Sequence, residues 1–368
     1  MGKRIIISGG GTGGHIFPAI AIANALKRLA PDTVLLFVGA NGKMEMEKVP
    51  AAGYEIVGLD IQGINRTSLW KNLALPFKLY HSIRKAQQIV RRFQPDVAVG
   101  VGGYASGPLL YAAARMGVPC LIQEQNSYAG ITNKRLANKA DKVCVAFEGM
   151  ERFFPKDKIL FTGNPIRRDA VTIQHKRAEA IASLGLSPEK KTILLTGGSL
   201  GARTLNDSMR EGLGRLVTSG VQVIWQCGAY YYDSLRESIG TKYESSLKLT
   251  AFLHRMDFAY AAADIIIARA GAGTIAELCV IAKPTILVPS PNVAEDHQTK
   301  NAQALVNKNA ALMVTDAEAP QQLIGTALEL LSNQQASEAL CSNLKELAVL
   351  DADDVIAKEV LALAGDAR

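Results

Sequence analysis

Short apolar runs alternate with longer stretches of helical periodicity along the whole chain. The runs are rich in β-branched residues and span Arg4 to Ser8, Val34 to Gly39, Val97 to Val101, Cys120 to Gln123, Thr192 to Thr196, Val221 to Trp225, Ile265 to Ala268 and Thr285 to Pro289. Each run is apolar throughout rather than alternating, which is typical of strands buried on both faces of a parallel sheet. The sequence therefore predicts an α/β protein of the doubly wound kind.

Two glycine-rich loops divide this pattern into halves. GGGTGG (Gly9–Gly14) follows the first apolar run, GGSLGA (Gly197–Ala202) follows the run that ends at Thr196, and each opens a helical segment. With 368 residues, the chain exceeds what one core usually holds. We expect two doubly wound domains joined near Gly163. A helical tail from about Asp354 has a periodicity that suits packing on either domain.

Composition limits the classes of protein that fit. Hydrophobic residues make up 48% and charged residues 20%, as in ordinary globular proteins, and the net charge of +7 favours an anionic partner. The five cysteines are odd in number and lack metal-site spacing, which indicates buried thiols in a reducing compartment. The first residues run straight into a strand and no uncharged stretch suits a membrane span, so we expect a cytoplasmic protein.

The first glycine loop has two chemical interpretations. Gly9, Gly11 and Gly14 match GxGxxG after a strand and before a helix, where backbone N–H groups meet phosphates. A dinucleotide site also needs an acidic residue where the second strand ends, and that strand ends in GAN at Asn41, which disfavours a dehydrogenase. His15 stands next to the loop as a candidate general base. The alternative is a histidine that caps the helix or contacts a phosphate.

Two further turns in the first half carry candidate groups. GVGGYASGP (100–108) follows an apolar run, with a helix expected from Pro108. IQEQN (122–126) places Glu124, Gln125 and Asn126 at the end of another strand, where open α/β sheets bind ligands. A tight strand-to-helix turn and a solvated loop are the competing interpretations.

The second half offers groups suited to a sugar nucleotide. Ser199 in GGSLGA is a candidate phosphate ligand, or an N-cap. In ARAGAGTIAE, Arg269 ends a strand, and Thr274 with Glu277 either forms a capping box or leaves Glu277 to accept from both hydroxyls of a ribose. Gln298, placed just before a helix, carries the donors and acceptors that read sugar hydroxyls.

Taken together, GGGTGGHIFP, GGYASGP, EQN, GNPIR, GGSLGA, RAGAGTIAE and DHQTKNA resemble the peptidoglycan enzymes of glycosyltransferase family 28 over almost the whole chain. The resemblance implies the GT-B fold, two doubly wound Rossmann-like domains facing a central cleft. It places an acceptor-binding, membrane-associating domain at 1–163, a UDP-GlcNAc domain at 164–350, and a helix at 351–368 that returns to the first domain. The implied reaction is inverting transfer of GlcNAc from UDP-GlcNAc to the C4 hydroxyl of MurNAc-pentapeptide on undecaprenyl diphosphate (lipid I), which yields lipid II.

The resemblance also implies a set of site residues. The catalytic candidates are His15 and Glu124, and the acceptor diphosphate is expected at Gly11, Gly102, Gly103, Tyr104 and Ser106. The donor is expected at Thr12, Gly13, Gly14, Asn126, Arg167, Ser199, Leu253, Arg269, Ala272, Gly273, Thr274, Ile275, Ala276, Glu277 and Gln298. Within that set, Glu277 is implied to hold the ribose, Ser199 the diphosphate and Gln298 the GlcNAc hydroxyls, with uracil on the backbone of Leu253. His254, Arg255 and His297 depart from the family pattern.

A single displacement needs one base and relief of the charge on the leaving diphosphate. Helix N-termini, Ser199 and a cation such as Arg269 or Arg167 supply that relief, so no cofactor is expected and a divalent metal is not obligatory. The expected partners are UDP-GlcNAc, lipid I, an anionic membrane surface and other cell-wall synthesis proteins, and not nucleic acid.

The segment from Trp70 to Phe93 mixes apolar and basic residues. Trp70, Leu73, Leu75, Phe77, Leu79, Tyr80 and Ile83 stand among Lys71, Lys78, Arg84, Lys85, Arg91 and Arg92. This composition predicts a peripheral protein on the cytoplasmic face of the plasma membrane. The equally supported alternative is a core helix with a solvated basic face.

Four other functions fit parts of the pattern. They are a related GT-B enzyme with a diacylglycerol acceptor, a sugar-nucleotide epimerase, a non-catalytic nucleotide-binding module and an NAD-dependent dehydrogenase. The acceptor that is used distinguishes the related GT-B enzyme. Conversion of UDP-GlcNAc without an acceptor would indicate the epimerase, and a preference for NAD over UDP would indicate the dehydrogenase.

Overall fold

A computed structural model describes residues 2–62 and 75–366. The chain divides into two compact units. Unit 1 contains the residues up to Ile166 together with those from Val349 onward, and unit 2 contains Arg167–Ala348. The chain therefore leaves unit 1 at Ile166 rather than at Gly163.

Unit 1 is a parallel sheet covered by helices on both faces. Its strands are β1 (Arg4–Gly9), β2 (Val34–Ala40), β3 (Ile56–Leu59), β4 (Val97–Gly102), β5 (Cys120–Glu124), β6 (Lys142–Val145) and β7 (Ile159–Phe161). Its helices are α1 (Gly13–Leu29), α2 (Glu45–Ala51), α3 (Leu75–Phe93), α4 (Ser106–Arg115) and α5 (Ile131–Leu136), with 3-10 turns at Ala137–Lys139, Met150–Arg152 and Lys156–Lys158. The strand order is β3-β2-β1-β4-β5-β6-β7, with every described pair parallel.

The central strand of unit 1 shows why its sequence is apolar at every position. Ile5 and Ile7 of β1 belong to the core layer that contains Ile22 of α1, whereas Ile6 belongs to the opposite layer with Leu109 of α4. Both faces of the strand are therefore buried, as the uninterrupted apolar run predicts.

The last helix, α15 (Ala352–Asp366), belongs to unit 1 and packs on α1. Ile356 and Val360 lie fully buried in the same core layer as Ile5. Asp353 and Asp354, at the start of α15, form ion pairs with Arg28 of α1. Apolar burial supplies most of the attachment, because ion pairs with a half-exposed arginine contribute little.

Unit 2 repeats the architecture of unit 1. Its strands are β8 (Lys191–Thr196), β9 (Val221–Gln226), β10 (Leu247–Thr250), β11 (Ile265–Ala268), β12 (Thr285–Leu287) and β13 (Leu312–Met313), in the order β10-β9-β8-β11-β12-β13, with all described pairs parallel. Its helices are α6 (Arg168–Val171), α7 (Arg177–Leu184), α8 (Arg203–Thr218), α9 (Ala229–Ile239), α10 (Met256–Ala262), α11 (Ala272–Ile281), α12 (His297–Val306), α13 (Ala319–Ser332) and α14 (Gln334–Glu346), with a 3-10 turn at Ala294–Asp296. Trp225 of β9 is fully buried, and its indole N–H donates to Asn206 Oδ1 at 2.9 Å.

All eight predicted strands are present with small differences at their ends, and five strands were not predicted, namely β3, β6, β7, β10 and β13. The last predicted strand stops at Leu287, not Pro289, and α4 begins at Ser106 rather than at Pro108. Because α12 begins at His297, Gln298 lies inside that helix instead of before it. Burial raises the pKa of the Cys120 thiol to about 12. Cys144, Cys227 and Cys279 are buried as well, whereas Cys341 is half-buried, so the expectation of buried thiols is confirmed for four of the five cysteines. Within residues 2–62 and 75–366, no helix has the length and hydropathy of a membrane span.

Candidate functional site

In each sheet the order of the strands reverses at one point, and glycine-rich loops lie at that point. In unit 1 the reversal falls between β1 and β4, and in unit 2 between β8 and β11. In open α/β sheets, ligands bind in the crevice beyond the carboxyl ends of the strands at this point. The loops after these four strands contain GGGTGG, GVGGYASGP, GGSLGA and the glycine turn of ARAGAGTIAE.

The loops after β1 and β4 contact each other directly. Gly10 N–H donates to the Gly102 carbonyl at 3.2 Å. Gly103 has a φ of 93°, and a Cβ at this position would overlap the Gly10 carbonyl. The glycines are therefore needed because two backbones pass at van der Waals distance, one of them in a left-handed conformation.

His15, the third residue of α1, lies between these two loops. Its Nδ1 is 3.0 Å from the Gly10 carbonyl oxygen, and its ring is so close to Gly102 that a Cβ there would lie 2.7 Å from Nε2. Because a carbonyl only accepts, the proton of the neutral ring is on Nδ1 and the lone pair on Nε2. Thr12 occupies the N-cap position, so the alternative in which His15 caps the helix is wrong.

Glu45 is a functional candidate that the sequence reasoning missed. Its carboxylate is 1% exposed, with Oε2 accepting from Gly11 N–H at 2.8 Å and Oε1 from Ala40 N–H at 3.0 Å. The dinucleotide pattern expects an acidic residue at the end of the second strand, whereas Glu45 is the first residue of the helix that follows. An acidic residue in the first turn after that strand was the available signal.

Two of the residues expected at the acceptor diphosphate differ in accessibility. The Tyr104 side chain is 46% exposed, and its ring lies near Gly11. Ser106 is fully buried, and in the described part of the chain its hydroxyl has no hydrogen-bond partner. The Ser106 hydroxyl therefore lies inside unit 1, which is a correction to its expected contact with the diphosphate. Its backbone N–H still belongs to the first turn of α4.

Glu124, the second catalytic candidate, is fully engaged as an acceptor. Oε1 accepts from the backbone and side-chain nitrogens of Asn126 at 3.1 and 3.3 Å, and Oε2 from Gly130 N–H at 3.0 Å and Asn133 Nδ2 at 2.9 Å. The side chain is 1% exposed. A carboxylate offers about four lone-pair sites, and these four donors use them. Glu124 thus shapes the loop that presents Asn126.

In unit 2 the structure brings Glu277 and Arg167 together. Arg167 donates from Nε to Oε1 at 2.8 Å and from Nη2 to Oε2 at 3.0 Å, and the Tyr260 hydroxyl donates to Oε2 at 2.9 Å. Glu277 is buried. The pKa of Tyr260 is raised well above its usual value, first by burial of Tyr260 and then by the neighbouring Glu277 carboxylate. Three donors therefore fix the orientation of the carboxylate.

The capping-box interpretation of Thr274 and Glu277 is wrong. The N-cap residue of α11 is Gly271, without a side-chain cap bond, so Thr274 lies inside the helix. The expected donor residues Ala272, Gly273, Thr274, Ile275, Ala276 and Glu277 thus form the first two turns of α11. Their N-terminal N–H groups lie beyond β11, where the geometry suits an anion.

Ser199 lies exposed in the loop between β8 and α8. The N-cap of α8 is Ala202, so the capping alternative for Ser199 is wrong. The loop is seated against the turn after β9, because a Cβ at Gly201 would overlap the Cys227 carbonyl. Gly201 has a φ of 76°, and Ser199 lies in the same loop, just after the carboxyl end of β8.

The remaining expected donor residues have distinct environments. Arg269 Nη1 donates to the carbonyls of Val288 and Pro289 and to Asp316, which fixes the segment after β12. Gln298 Oε1 accepts from Ser290 N–H at 2.9 Å. Leu253 lies between β10 and α10, half-buried. The structure therefore uses Arg269 to shape the loop that also contacts Gln298.

A cavity of 340 Å³ lies beside Arg167 in unit 2. Its lining residues are Arg167, Asp169, Ala170, Thr172, Lys176, His254, Arg255, Met256 and Asp257. Asp257 accepts from Lys176 at 2.8 Å and from Arg255 at 2.9 and 2.8 Å. These bonds, that of Arg255 first, hold the pKa of the Asp257 carboxyl well below its usual range. In residues 2–62 and 75–366 no cluster of His, Cys, Asp and Glu has a metal-binding arrangement.

Comparisons with known proteins decide the family. The N-terminal domain of glycosyltransferase family 28 matches residues 5–145, and the C-terminal domain of that family matches residues 192–356. The chain belongs to glycosyltransferase family 28. A curated family member from Bacteroides fragilis, named UDP-N-acetylglucosamine–N-acetylmuramyl-(pentapeptide) pyrophosphoryl-undecaprenol N-acetylglucosamine transferase, is 58% identical over 98% of this chain and 96% of its own length. A relative of the same name from Cytophaga hutchinsonii is 55% identical over 97% and 96%.

Solved structures agree with this family assignment. The crystal structure of Acinetobacter baumannii MurG superposes with a TM-score of 0.79 at 28% identity, covering 98% of this chain and 99% of that one. A UDP-N-acetylglucosamine 2-epimerase superposes with a TM-score of 0.67 at 16% identity, which shows a shared fold alone. The expected GT-B fold with two Rossmann-like domains is confirmed.

Proposed function

We propose that this family 28 enzyme transfers GlcNAc from UDP-GlcNAc to the C4 hydroxyl of MurNAc-pentapeptide on undecaprenyl diphosphate, forming lipid II from lipid I. The observation that carries the proposal is that glycine-rich motif loops lie where the strand order reverses in each sheet. The chain is also 58% identical to the Bacteroides fragilis N-acetylglucosamine transferase. The enzyme is thus a hexosyltransferase of peptidoglycan synthesis.

In this proposal, the acceptor binds at unit 1 and His15 is the general base. Gly11, Gly102, Gly103 and Tyr104 form the loop pair around His15 and receive the diphosphate of lipid I. His15 Nε2 takes the proton of the C4 hydroxyl as the oxygen attacks the anomeric carbon. The exhausted lone pairs of Glu124 support His15 over Glu124 in this role.

Donor binding centres on the loops of unit 2 in this proposal. Glu277 accepts from a ribose hydroxyl, Ser199 and the first turn of α11 bind the diphosphate, and Gln298 binds the GlcNAc hydroxyls. Uracil pairs with the backbone of Leu253. The proposed donor set also includes Thr12, Gly13, Gly14 and Asn126.

The leaving diphosphate gains negative charge as the bond to the sugar breaks. Helix N-termini and a nearby cation stabilise such charge without reorganisation. Both candidate arginines have a carboxylate partner. Arg167 is the cation we favour, because its side chain is 42% exposed and lines the cavity, whereas that of Arg269 is 13% exposed and binds two carbonyls and Asp316. We therefore propose transfer without a metal cofactor.

We also propose that the start of α3 attaches the enzyme to the anionic cytoplasmic face of the plasma membrane. Phe77 is 72% exposed and Tyr80 54%, whereas Ala86 and Val90 further along face the core. Trp70, Lys71 and Leu73 lie outside the described residues. The exposed apolar start supports membrane contact, while the second half of α3 fits the core-helix interpretation. Other cell-wall synthesis proteins remain proposed partners.

Liposome flotation tests the membrane proposal. Replacing Phe77 and Tyr80 by serine is expected to reduce binding to anionic vesicles, because it removes exposed apolar surface that would enter the headgroup layer. Serine replacements of exposed Tyr230 and Leu200 in unit 2 are the matched control. Unchanged flotation of the α3 variant would contradict the proposal.

A choice among acceptors tests the reaction. The enzyme is incubated with radiolabelled UDP-GlcNAc and either lipid I, diacylglycerol or no acceptor. We expect label in lipid II with lipid I alone. Transfer to diacylglycerol would favour the glycolipid alternative, and conversion of the donor without any acceptor would favour an epimerase.

A further inference from the structure

The peptide group between Gly10 and Gly11 is hydrogen-bonded at both of its ends. Its N–H donates to Glu45 Oε2 at 2.8 Å, and its C=O faces His15 Nδ1 at 3.0 Å. One peptide thus connects a buried carboxylate to the ring of the proposed base. No motif contains Glu45, and the function proposed above does not use it.

Both bonds have a definite direction. A carboxylate accepts from the Gly11 N–H, and the charge on that acceptor makes the bond stronger than one between neutral groups. Hydrogen bonds in a chain polarise one another, so the Gly10 carbonyl becomes a better acceptor for the Nδ1 proton. The arrangement has the logic of a catalytic triad, in which a carboxylate fixes the tautomer and orientation of a histidine. Here a peptide stands between the two side chains.

The surroundings of Glu45 are built to fit its carboxylate. A Cβ at Gly10 would overlap the carboxylate, and a Cβ at Gly39 would lie 2.6 Å from Glu45 Cγ. Ala40 N–H donates to the other oxygen at 3.0 Å, so rotation of the carboxylate would break one bond or both. A buried carboxylate with fixed partners on both oxygens holds the loop in one conformation.

We propose that Glu45 is a positioning residue, which holds His15 through the Gly10–Gly11 peptide with its proton on Nδ1 and its lone pair on Nε2. The inference rests on the proposed role of His15 as the base. Glu45 itself touches neither substrate.

Nitrogen NMR of ring-labelled histidine tests the tautomer without any assay of activity. We expect the neutral ring of wild-type His15 to show a protonated Nδ1 and an unprotonated Nε2. In Glu45→Gln, whose amide accepts through one atom only, we expect a mixture of tautomers. Glu47→Gln is the matched control, because Glu47 lies exposed on the same helix. A wild-type ring protonated on Nε2, or a Glu45→Gln spectrum identical to wild type, would overturn the proposal.

Steady-state kinetics provide the second readout. Outer partners that orient a functional histidine contribute about 10- to 100-fold in activity, so we expect kcat of Glu45→Gln to fall by about that factor. The KM for UDP-GlcNAc should change less than kcat, since the proposed donor contacts in unit 2 are unaltered. A rise in this KM with an unchanged kcat would overturn the positioning role. If replacing His15 leaves kcat unaltered while the tautomer still depends on Glu45, the base assignment has failed and the structural link stands.

Discussion

Removal of one hydroxyl at Tyr260 tests how the proposed ribose carboxylate is held. Tyr260 is 1% exposed, and its hydroxyl donates to Glu277 Oε2 at 2.9 Å. Tyr260→Phe keeps the ring volume and removes that donor. A hydrogen bond to a charged acceptor contributes about 1.5 to 3 kcal/mol, and the two bonds from Arg167 remain. We therefore expect the free energy of unfolding to fall by about 1 to 2 kcal/mol.

The same substitution should weaken donor binding. With one of its three donors gone, Glu277 is held less firmly in the orientation that accepts from the ribose. A loss of about 1 kcal/mol corresponds to about a fivefold increase in the Kd for UDP-GlcNAc, with kcat nearly unchanged. Urea unfolding gives the first quantity and calorimetry the second.

The control is Tyr230→Phe, since Tyr230 is 87% exposed in the same unit. This variant should match wild type in both measurements. If Tyr260→Phe loses stability while its Kd for UDP-GlcNAc is unaltered, orientation of Glu277 by Tyr260 has no part in donor binding and the reasoning is refuted.

Two further predictions concern the loop contact and acid stability. Gly103→Ala should destabilise unit 1 by about 1 to 3 kcal/mol or more, because φ is 93° and the new Cβ would overlap the Gly10 carbonyl. A Tm equal to that of wild type would contradict this prediction. The lowered pKa of Asp257, beside Arg255 and Lys176, means that the folded state keeps this carboxylate charged while the unfolded state protonates near its usual pKa. Its stabilising contribution is therefore present above about pH 4 and is lost as pH falls further. In urea titrations across this range Asp257→Asn should lose less stability than wild type, and equal losses would count against the ion pairs.

The fold was predictable from the sequence because buried parallel strands show a simple apolar pattern. The strands that sequence reasoning missed are short or carry polar residues. Ile56–Leu59 contains a glycine, Lys142–Val145 and Leu247–Thr250 include lysines, Ile159–Phe161 has three residues and Leu312–Met313 has two. Such segments become strands because a long neighbour supplies their hydrogen-bond partners, which a local pattern does not show.

The site was predictable only where a motif marks it. The glycine loops and His15 follow from spacing, since close backbone contact requires glycine. Glu45 lies outside every motif, and its role depends on β2 placing α2 beside the loop after β1. The competing explanations of Glu277 also required coordinates, because a capping box and a ribose carboxylate use the same residue types. Arg167, the bidentate partner of Glu277, lies 110 residues away from it in sequence, so no local pattern could have predicted their pairing.

The most direct test of the account is the rate of GlcNAc transfer to lipid I by a variant without the proposed base. Radiolabelled transfer is followed in a single turnover for His15→Ala and for the control His175→Asn, whose replaced side chain is exposed in unit 2. We predict that His15→Ala slows transfer by about 100- to 10,000-fold, with UDP-GlcNAc affinity retained, and that the control reacts as wild type. Transfer by His15→Ala at a near-normal rate would contradict the account.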